Sequence, residues 1–325
     1  MGAALALAER GRGLTAPNPN VGCVIVQDGR VAGRGWTQPG GRPHAEAMAL
    51  AEAAAKSRGA TCYTILEPCA HESARGPACA DLLVAAGVAR VVIATGDPDS
   101  RTDGSGIARL RGAGIEVVTD VRAEEARRTM AGFLTRYFHG RPLVTLKLAM
   151  SLDGAVARAD GSSRWITGPE ARAHAHLERA RHEAILVGRG TLEADAPALD
   201  VRLAGLEGRS PERWVLSHDH SFQPAKGGRA GNWKVLTSPA DIADLDGVDH
   251  LFVEGGASTA AAFLSADLVD RLLLYRAPIL IGGGRTLPDI GLANLAEAHG
   301  RWNLHDARRL GSDRVEVYER VREPA

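Results

Sequence analysis

The sequence predicts two α/β domains in tandem, and three observations carry that prediction. A chain of 325 residues exceeds what one hydrophobic core ordinarily serves. Short β-rich apolar runs alternate with helix-forming stretches along the whole length. One break, His139-Gly-Arg-Pro142, places a helix-ending glycine and then a proline ahead of a fresh strand pattern. The expected domains are residues 1–139 and 140–325.

Taken in order, residues 2–10 read as an opening amphipathic helix and 21–26 as an apolar β-rich run. Residues 44–56, His-Ala-Glu-Ala-Met-Ala-Leu-Ala-Glu-Ala-Ala-Ala-Lys, are dominated by strong helix formers. A strand at 61–66, a helix at 79–86, a strand at 90–95, a short helix near 106–113, a strand at 115–118 and a helix at 123–138 follow. Strands separated by helices predict a three-layer arrangement. The second domain opens with a strand at 143–149, a helix at 168–182 and strands at 184–187, 214–217, 233–237 and 251–254. A helix at 257–265 and strands at 271–277 and near 314–318 complete it. Residues 221–232, rich in glycine and polar side chains, read as a surface loop.

Composition narrows the function classes. Basic and acidic residues number 39 each, and a cut at residue 139 leaves the halves at +2 and −2. Neither half is a polycation, which argues against a nucleic-acid groove driven by counterion release. No apolar run approaches the roughly 20 residues that span a bilayer, and the N-terminus lacks the pattern of a signal peptide. A cytoplasmic protein is expected. Aromatics make up only 4% of the chain while alanine and glycine abound, so the cores must rely on aliphatics and close backbone packing. The four cysteines are too few for a disulfide scaffold; in a reducing compartment, clustered cysteines point to a metal or to catalysis.

The chemistry begins at His44-Ala-Glu46 and Glu67-Pro-Cys69, with Cys79 ten positions later. A catalytic zinc takes three protein ligands and one open position. His44 in the first turn of a helix, Cys69 at the end of a strand and Cys79 at the start of the next helix supply one nitrogen and two sulfurs. Glu46 stands where a carboxylate can take a proton from an activated water and deliver it to a leaving amine. His-x-Glu followed by Pro-Cys and a later Cys is the zinc-deaminase pattern. Cys23 and Cys62 lie on strand patterns and read as small core residues.

These residues, with Ala16-Pro-Asn-Pro-Asn-Val-Gly-Cys-Val-Ile-Val26 and Leu66-Glu-Pro-Cys-Ala-His71, resemble the deaminase half of the bifunctional deaminase/reductase family of bacterial riboflavin synthesis. The resemblance implies a cytidine-deaminase-like fold, Zn²⁺ on His44, Cys69 and Cys79, and Glu46 as proton shuttle. It places Asn18, Asn20 and His71 at positions lining the pocket. The reaction implied is hydrolysis of the 2-amino group of 2,5-diamino-6-(5-phosphoribosylamino)pyrimidin-4-one. Two stretches depart from the family pattern. The segment from His71 to Cys79 is one residue longer, which bears on any substrate contact by Arg75, and Asp97-Pro-Asp-Ser-Arg-Thr-Asp-Gly104 replaces an Asp-Pro-Asn-Pro-type stretch. The chain also starts several residues late relative to the family, which would shorten the first helix.

In the second half, Lys147-Leu-Ala-Met-Ser-Leu-Asp-Gly154 puts one of only four lysines on an apolar strand. A buried lysine is costly unless paired, which makes it a functional candidate, although a stem that carries its charge to the surface is the ordinary alternative. Val253-Glu-Gly-Gly256 runs from a strand into an Ala-rich helix, where glycines let backbone N–H groups approach an anion. An ordinary tight turn reads equally well there, and no Gly-x-Gly-x-x-Gly fingerprint opens a helix. With Trp165-Ile-Thr167, Thr191-Leu-Glu-Ala-Asp-Ala-Pro-Ala-Leu199 and their neighbours, the set resembles the reductase half of the same family, and the likeness then spans nearly the whole chain.

That resemblance implies a dihydrofolate-reductase-like fold using NADPH. It assigns Ala149, Trp165, Thr191, Asp195, Ser217, Gly255 and Gly256 to the cofactor, and Ser163, Arg179, Leu199, Arg202 and Glu254 to the substrate. The reaction it implies converts a ribosyl to a ribityl side chain; Lys147, Asp195 or Glu254 could assist the proton movement. The partner is then a small pyrimidine ribose phosphate, with no nucleic acid and no membrane, and the family is typically a homodimer through its reductase half. Two other readings are a chain keeping only the reductase activity, because of the altered Cys69–Cys79 segment, and a tRNA-type nucleobase deaminase.

Overall fold

The computed structural model describes residues 1–71, 75–224 and 232–322. The expected loop at 221–232 therefore lies largely outside the described residues, as do positions 72–74 of the segment expected to be longer than in the family. The chain divides into two compact units, Met1–Leu134 and Thr135–Ala325.

The first unit runs α1 (Gly2–Ala8), β1 (Gly22–Gln27), β2 (Arg30–Trp36), α2 (Ala45–Ala53), β3 (Thr61–Leu66), α3 (Cys79–Ala86), β4 (Arg90–Thr95), α4 (Ser105–Gly112), β5 (Glu116–Val118) and α5 (Ala123–Thr129). Among the described residues its strands form one sheet in the order β2-β1-β3-β4-β5. Strands β1 and β2 are an antiparallel hairpin, β1 pairs antiparallel with β3, and β3, β4 and β5 run parallel. The core is aliphatic, with Ile25, Ile65, Leu83, Ile93, Leu110 and Met130 sealed from solvent.

The shortage of aromatics is met by backbone contact. A β-carbon on Gly35 would sit 2.0 Å from the Ala45 carbonyl oxygen, and one on Gly33 would sit 2.1 Å from that of Ala49. Helix α2 thus lies directly on the backbone of β2, presenting the fully buried Ala45 and Ala49. Gly22 admits α1 to β1 in the same way, 1.9 Å from the Ala4 oxygen. These glycines also explain why β2 carries no strand signal in the sequence: Arg-Val-Ala-Gly-Arg-Gly-Trp lacks the side chains from which a strand is read.

The stretch expected as one helix at 123–138 is two, α5 and α6 (Ala131–His139), parted at Met130. Arg136 on α6 donates Nη2 to the carbonyl of Leu245 at 2.7 Å and also to that of Val248. The second unit continues β6 (Leu143–Met150), α7 (Pro169–Arg179), β7 (Ala184–Gly188), α8 (Arg189–Asp195), β8 (Glu212–Leu216), β9 (Lys234–Leu236), β10 (His250–Val253), α9 (Ala257–Ser265), β11 (Arg271–Arg276), β12 (Trp302–Leu310) and β13 (Asp313–Arg320). The sheet order is β12-β13-β11-β6-β10-β7-β8-β9, parallel from β11 to β9, with β13 and β12 added antiparallel. Strand β12 gives no clear sequence signal because most of its side chains are exposed and five of its nine residues, Asn303, His305, Asp306, Arg308 and Arg309, are polar. Helix α8 was not expected either; it is a short run between a glycine and the left-handed Ala196.

Because the Gly35 contact is backbone to backbone, no side chain can yield. Gly35→Ala should destabilise the first unit by about 3 kcal/mol, read by chemical denaturation. Gly112→Ala, where nothing lies within 4 Å, should be neutral or stabilising. Equal effects at the two positions would contradict the packing account.

Candidate active sites

The first site is assembled at the carboxyl end of β3 and the amino ends of α2 and α3. His44 is the N-cap of α2, Glu46 lies in its first turn, and Cys79 is the first residue of α3. One ligand atom from each of His44, Cys69 and Cys79 lies within 4.8 Å of the others. His44 Nδ1 is the inward atom, 3.6 Å from Cys69 Sγ and 3.3 Å from Cys79 Sγ. Two sulfurs and one imidazole nitrogen suit zinc and leave a fourth position open. Cys69 is drawn down to about 4, first by the hydrogen bond it shares with the Cys79 thiol, against burial and with help from His44. The backbone N–H of Cys79 also donates to Cys69 Sγ at 3.3 Å, which favours the thiolate.

His44 is oriented from outside. Its Nε2 lies 3.4 Å from the Asn18 amide. The Asn18 atom there is Nδ2; a metal held on Nδ1 would leave the ring proton on Nε2, which the same amide would accept through its oxygen after a flip. Glu46 is buried and is not a ligand; Thr64 Oγ1 on β3 donates to its Oε1 at 3.0 Å. Burial raises its pKa, with His44 opposing.

The other pocket candidates divide. His71 Nδ1 lies 3.4 Å from the Thr102 hydroxyl. Asn20 turns elsewhere: its buried amide donates to the carbonyls of Ala8 and Thr129, at 3.3 and 3.1 Å, and so braces α1 and α5. Asp97 is pushed up to about 6 by burial, although the Asp99 N–H bonds it.

Sequence reasoning missed Glu67. Its buried carboxylate accepts from the N–H groups of Gly104 and Ile107, both at 3.0 Å, and more weakly from that of Asp97 at 3.4 Å. It therefore fastens the Cys69 segment to the start of α4, where Gly106 lets the helix touch the Pro68 carbonyl. The available signal was an acidic residue at the end of an apolar strand, directly before Pro-Cys.

In the second unit the candidates gather at the carboxyl ends of the parallel strands, where open α/β sheets bind ligands. Ala149 lies near the end of β6, Thr191 in α8 beyond β7, Ser217 after β8, and Glu254-Gly255-Gly256 between β10 and α9. A β-carbon on Gly255 would meet Thr259 at 2.4 Å, and one on Gly256 would come within 3.5 Å of Thr191 Oγ1. The glycines thus let the backbone before the N-terminus of α9 pack closely on Thr259 and pass near Thr191. Arg164 ties this side together by donating to the Asp195 carbonyl at 3.0 Å. Trp165 is two-thirds exposed, with the Arg172 guanidinium 4.8 Å from its ring centre.

Deeper in, Arg179 from α7 and Glu254 form a fork-to-fork pair at 2.7 and 2.9 Å. Burial pushes the Glu254 carboxyl up, but Arg179 and then Lys147 outweigh it and hold the group at about 2. Lys147 lies 5.9 Å from the Tyr275 ring centre, and burial lowers its pKa against the pull of Glu254. The third Arg179 nitrogen donates to the Asp200 carbonyl at 3.0 Å, next to buried Leu199. Arg202 is exposed and leans on Asp200 at 3.4 Å, and Ser163 is exposed.

A carboxylate with a folded-state pKa of about 2, against 4.5 ordinarily, gives stability that is complete above pH 4.5 and lost as pH falls through 2. Glu254→Gln should cost about 3–5 kcal/mol at neutral pH, because Arg179 keeps its charge in a buried site. It should also flatten the acid limb of the denaturation profile. A variant as stable as the parent, with an unchanged limb, would count against the pair.

The comparisons find a counterpart for each of the two domains. Residues 142–315 match the family described as RibD C-terminal domain, and residues 1–95 the cytidine and deoxycytidylate deaminase zinc-binding region. The riboflavin biosynthesis protein RibD of Escherichia coli is 40% identical, with 96% of each chain covered. That of Mycobacterium tuberculosis is also 40% identical, over 96% of this chain and 94% of its own. Among solved structures, the Thermotoga maritima diaminohydroxyphosphoribosylaminopyrimidine deaminase/5-amino-6-(5-phosphoribosylamino)uracil reductase has a TM-score of 0.88 at 32% identity, covering 99% of this chain and 97% of that one. Acinetobacter baumannii RibD has a TM-score of 0.86 at 34% identity, covering 99% and 98%. With two motif sets in order and relatives matched over nearly their full length, the chain belongs to the RibD family of riboflavin biosynthesis proteins.

Proposed function

We propose that this chain carries both RibD activities: hydrolytic deamination of 2,5-diamino-6-(5-phosphoribosylamino)pyrimidin-4-one in the first unit, and NADPH-dependent reduction of its ribosyl to a ribityl side chain in the second. The observation that carries the reading is the convergence of His44, Cys69 and Cys79 beside a non-ligand Glu46. It speaks against a chain that has kept the reductase alone. The +2 charge of the first half gives no support to a tRNA deaminase.

In the first unit His44, Cys69 and Cys79 would hold zinc, which when bound would supply the Lewis acidity that makes water a nucleophile near neutral pH. Glu46, steadied by Thr64, takes a proton from the attacking water and returns it to the departing amine. Asn18 fixes the His44 ring, and His71 lines the pocket, steadied by Thr102.

In the second unit NADPH, when bound, would supply the hydride that the reduction requires. Gly255 and Gly256 at the N-terminus of α9, with Thr191 beside them, would receive its anionic groups, and Ala149, Trp165, Asp195 and Ser217 would line the same edge. Leu199, Arg202 and Ser163 border the substrate. Of the three proton-handling candidates we favour Lys147. Glu254 is committed to Arg179 and stays ionised, so it holds charge without giving up a proton, and Asp195 lies at the end of α8 beside Arg164.

We further infer a homodimer through the second unit, supported by Leu152, Ile279 and Leu280, which stand 56, 41 and 75% exposed there. A cytoplasmic setting is supported by the clustering of Cys69 and Cys79 with His44, since a reducing compartment keeps such thiols available to a metal. No helix among the described residues is long and apolar enough to cross a membrane.

The two sites can be silenced separately. Cys79→Ser should lose zinc and ammonia release, yet still oxidise NADPH on the deaminated substrate. Lys147→Met should lose about 100-fold or more in reductase kcat while keeping zinc and ammonia release. Joint loss of both activities in either folded variant would refute the two-site assignment.

A further inference from the structure

The pocket that opens on His44 and Cys79 has a volume of about 410 Å³, and two guanidinium groups line it, Arg42 and Arg75. Arg42 precedes His44 by two residues, in the turn that leads into α2. Its Nη1 lies 3.1 Å from where a β-carbon on Gly76 would stand, so it rests against the backbone leading to Cys79. Arg75 Nη2 donates to the Gly40 carbonyl at 2.5 Å, which keeps the second guanidinium next to the turn that carries the first. Other arginines of this unit meet carboxylates: Arg34 with Glu52, Arg90 with Glu116, Arg101 with Asp99 and Arg109 with Asp81. Among the described residues no carboxylate pairs with Arg42. A half-buried guanidinium with no carboxylate partner among the described residues, on the wall of a candidate metal-binding pocket, leaves a positive field directed at whatever enters.

Resting on the deaminase reading, we propose that Arg42 is a specificity residue of the first site, binding the phosphate of the substrate's ribose phosphate at the pocket wall while the pyrimidine amine reaches the metal. The phosphate is the substrate's one strongly anionic group, and the planar guanidinium fork matches two of its oxygens. Binding energy collected there, far from the breaking C–N bond, orients the ring for attack.

The test uses the zinc-loaded full chain and compares ammonia release from the phosphorylated substrate with that from its dephosphorylated riboside. In Arg42→Ala, kcat/KM on the phosphorylated compound should fall about 10- to 100-fold. On the riboside it should change less than about twofold, with zinc content unaltered. Arg42→Met, which keeps the aliphatic stem, should lose the same discrimination, and Arg42→Lys should regain part of it. Equal loss on both compounds, no loss on either, or rescue by Met would overturn the proposal. Calorimetric titration with ribose 5-phosphate, fitted to one site in each unit, provides a second readout: weakening of one of the two sites in Arg42→Ala supports the assignment, and two unchanged sites overturn it. Should the parent chain release no ammonia from either compound, the deaminase reading falls, and the titration still decides Arg42.

Discussion

The first unit depends on the approach of α2 to β2 at backbone distance. With so few aromatics available, the helix is held by the fit of Ala45 and Ala49 over Gly35 and Gly33. Such a contact has little give, because neither partner has a side chain that can rotate away. His44 and Glu46 begin that helix, so the position of a metal ligand and of a proton carrier is set by two glycines on a neighbouring strand. A softer interface would leave the imidazole free to drift, and a site of this kind loses function with small displacements.

The second unit reaches definition by another route. Its parallel strands deliver Ala149, Glu254 and the α8 and α9 turns to one edge of the sheet. A buried ion pair, Arg179 with Glu254, then consolidates the region under that edge. Such pairs add little net stability but are costly to break, so their value lies in fixing which groups are charged and where. Here the pair leaves Lys147 as the ionisable group of the cluster that is not locked into a fork.

The sequence made the alternating architecture and the metal ligands legible because each rests on local pattern: apolar runs of strand length, and His-x-Glu with two cysteines. What stayed hidden depends on contacts distant in the chain. Strand β2 is recognisable only from the helix that covers its glycines. Glu67 acquires meaning only once the N–H groups of residues 104 and 107 arrive beside it. Asn20 lies in the same short motif as Asn18, yet one amide turns to the His44 ring and the other to the carbonyls of Ala8 and Thr129. Periodicity cannot separate those two outcomes.

The Glu67 carboxylate has one more consequence. Cys69 is moored on one side by Glu67 and its bonds to α4, and Cys79 on the other by its place at the head of α3. A segment strung between two fixed posts can change length without moving either. Adding one residue to a span of about ten costs on the order of 0.1 kcal/mol in loop-closure entropy. An extra residue between His71 and Cys79 would thus be nearly free in thermodynamic terms. Insertions there are a route by which pocket walls can diverge between relatives while the metal-binding geometry stays constant.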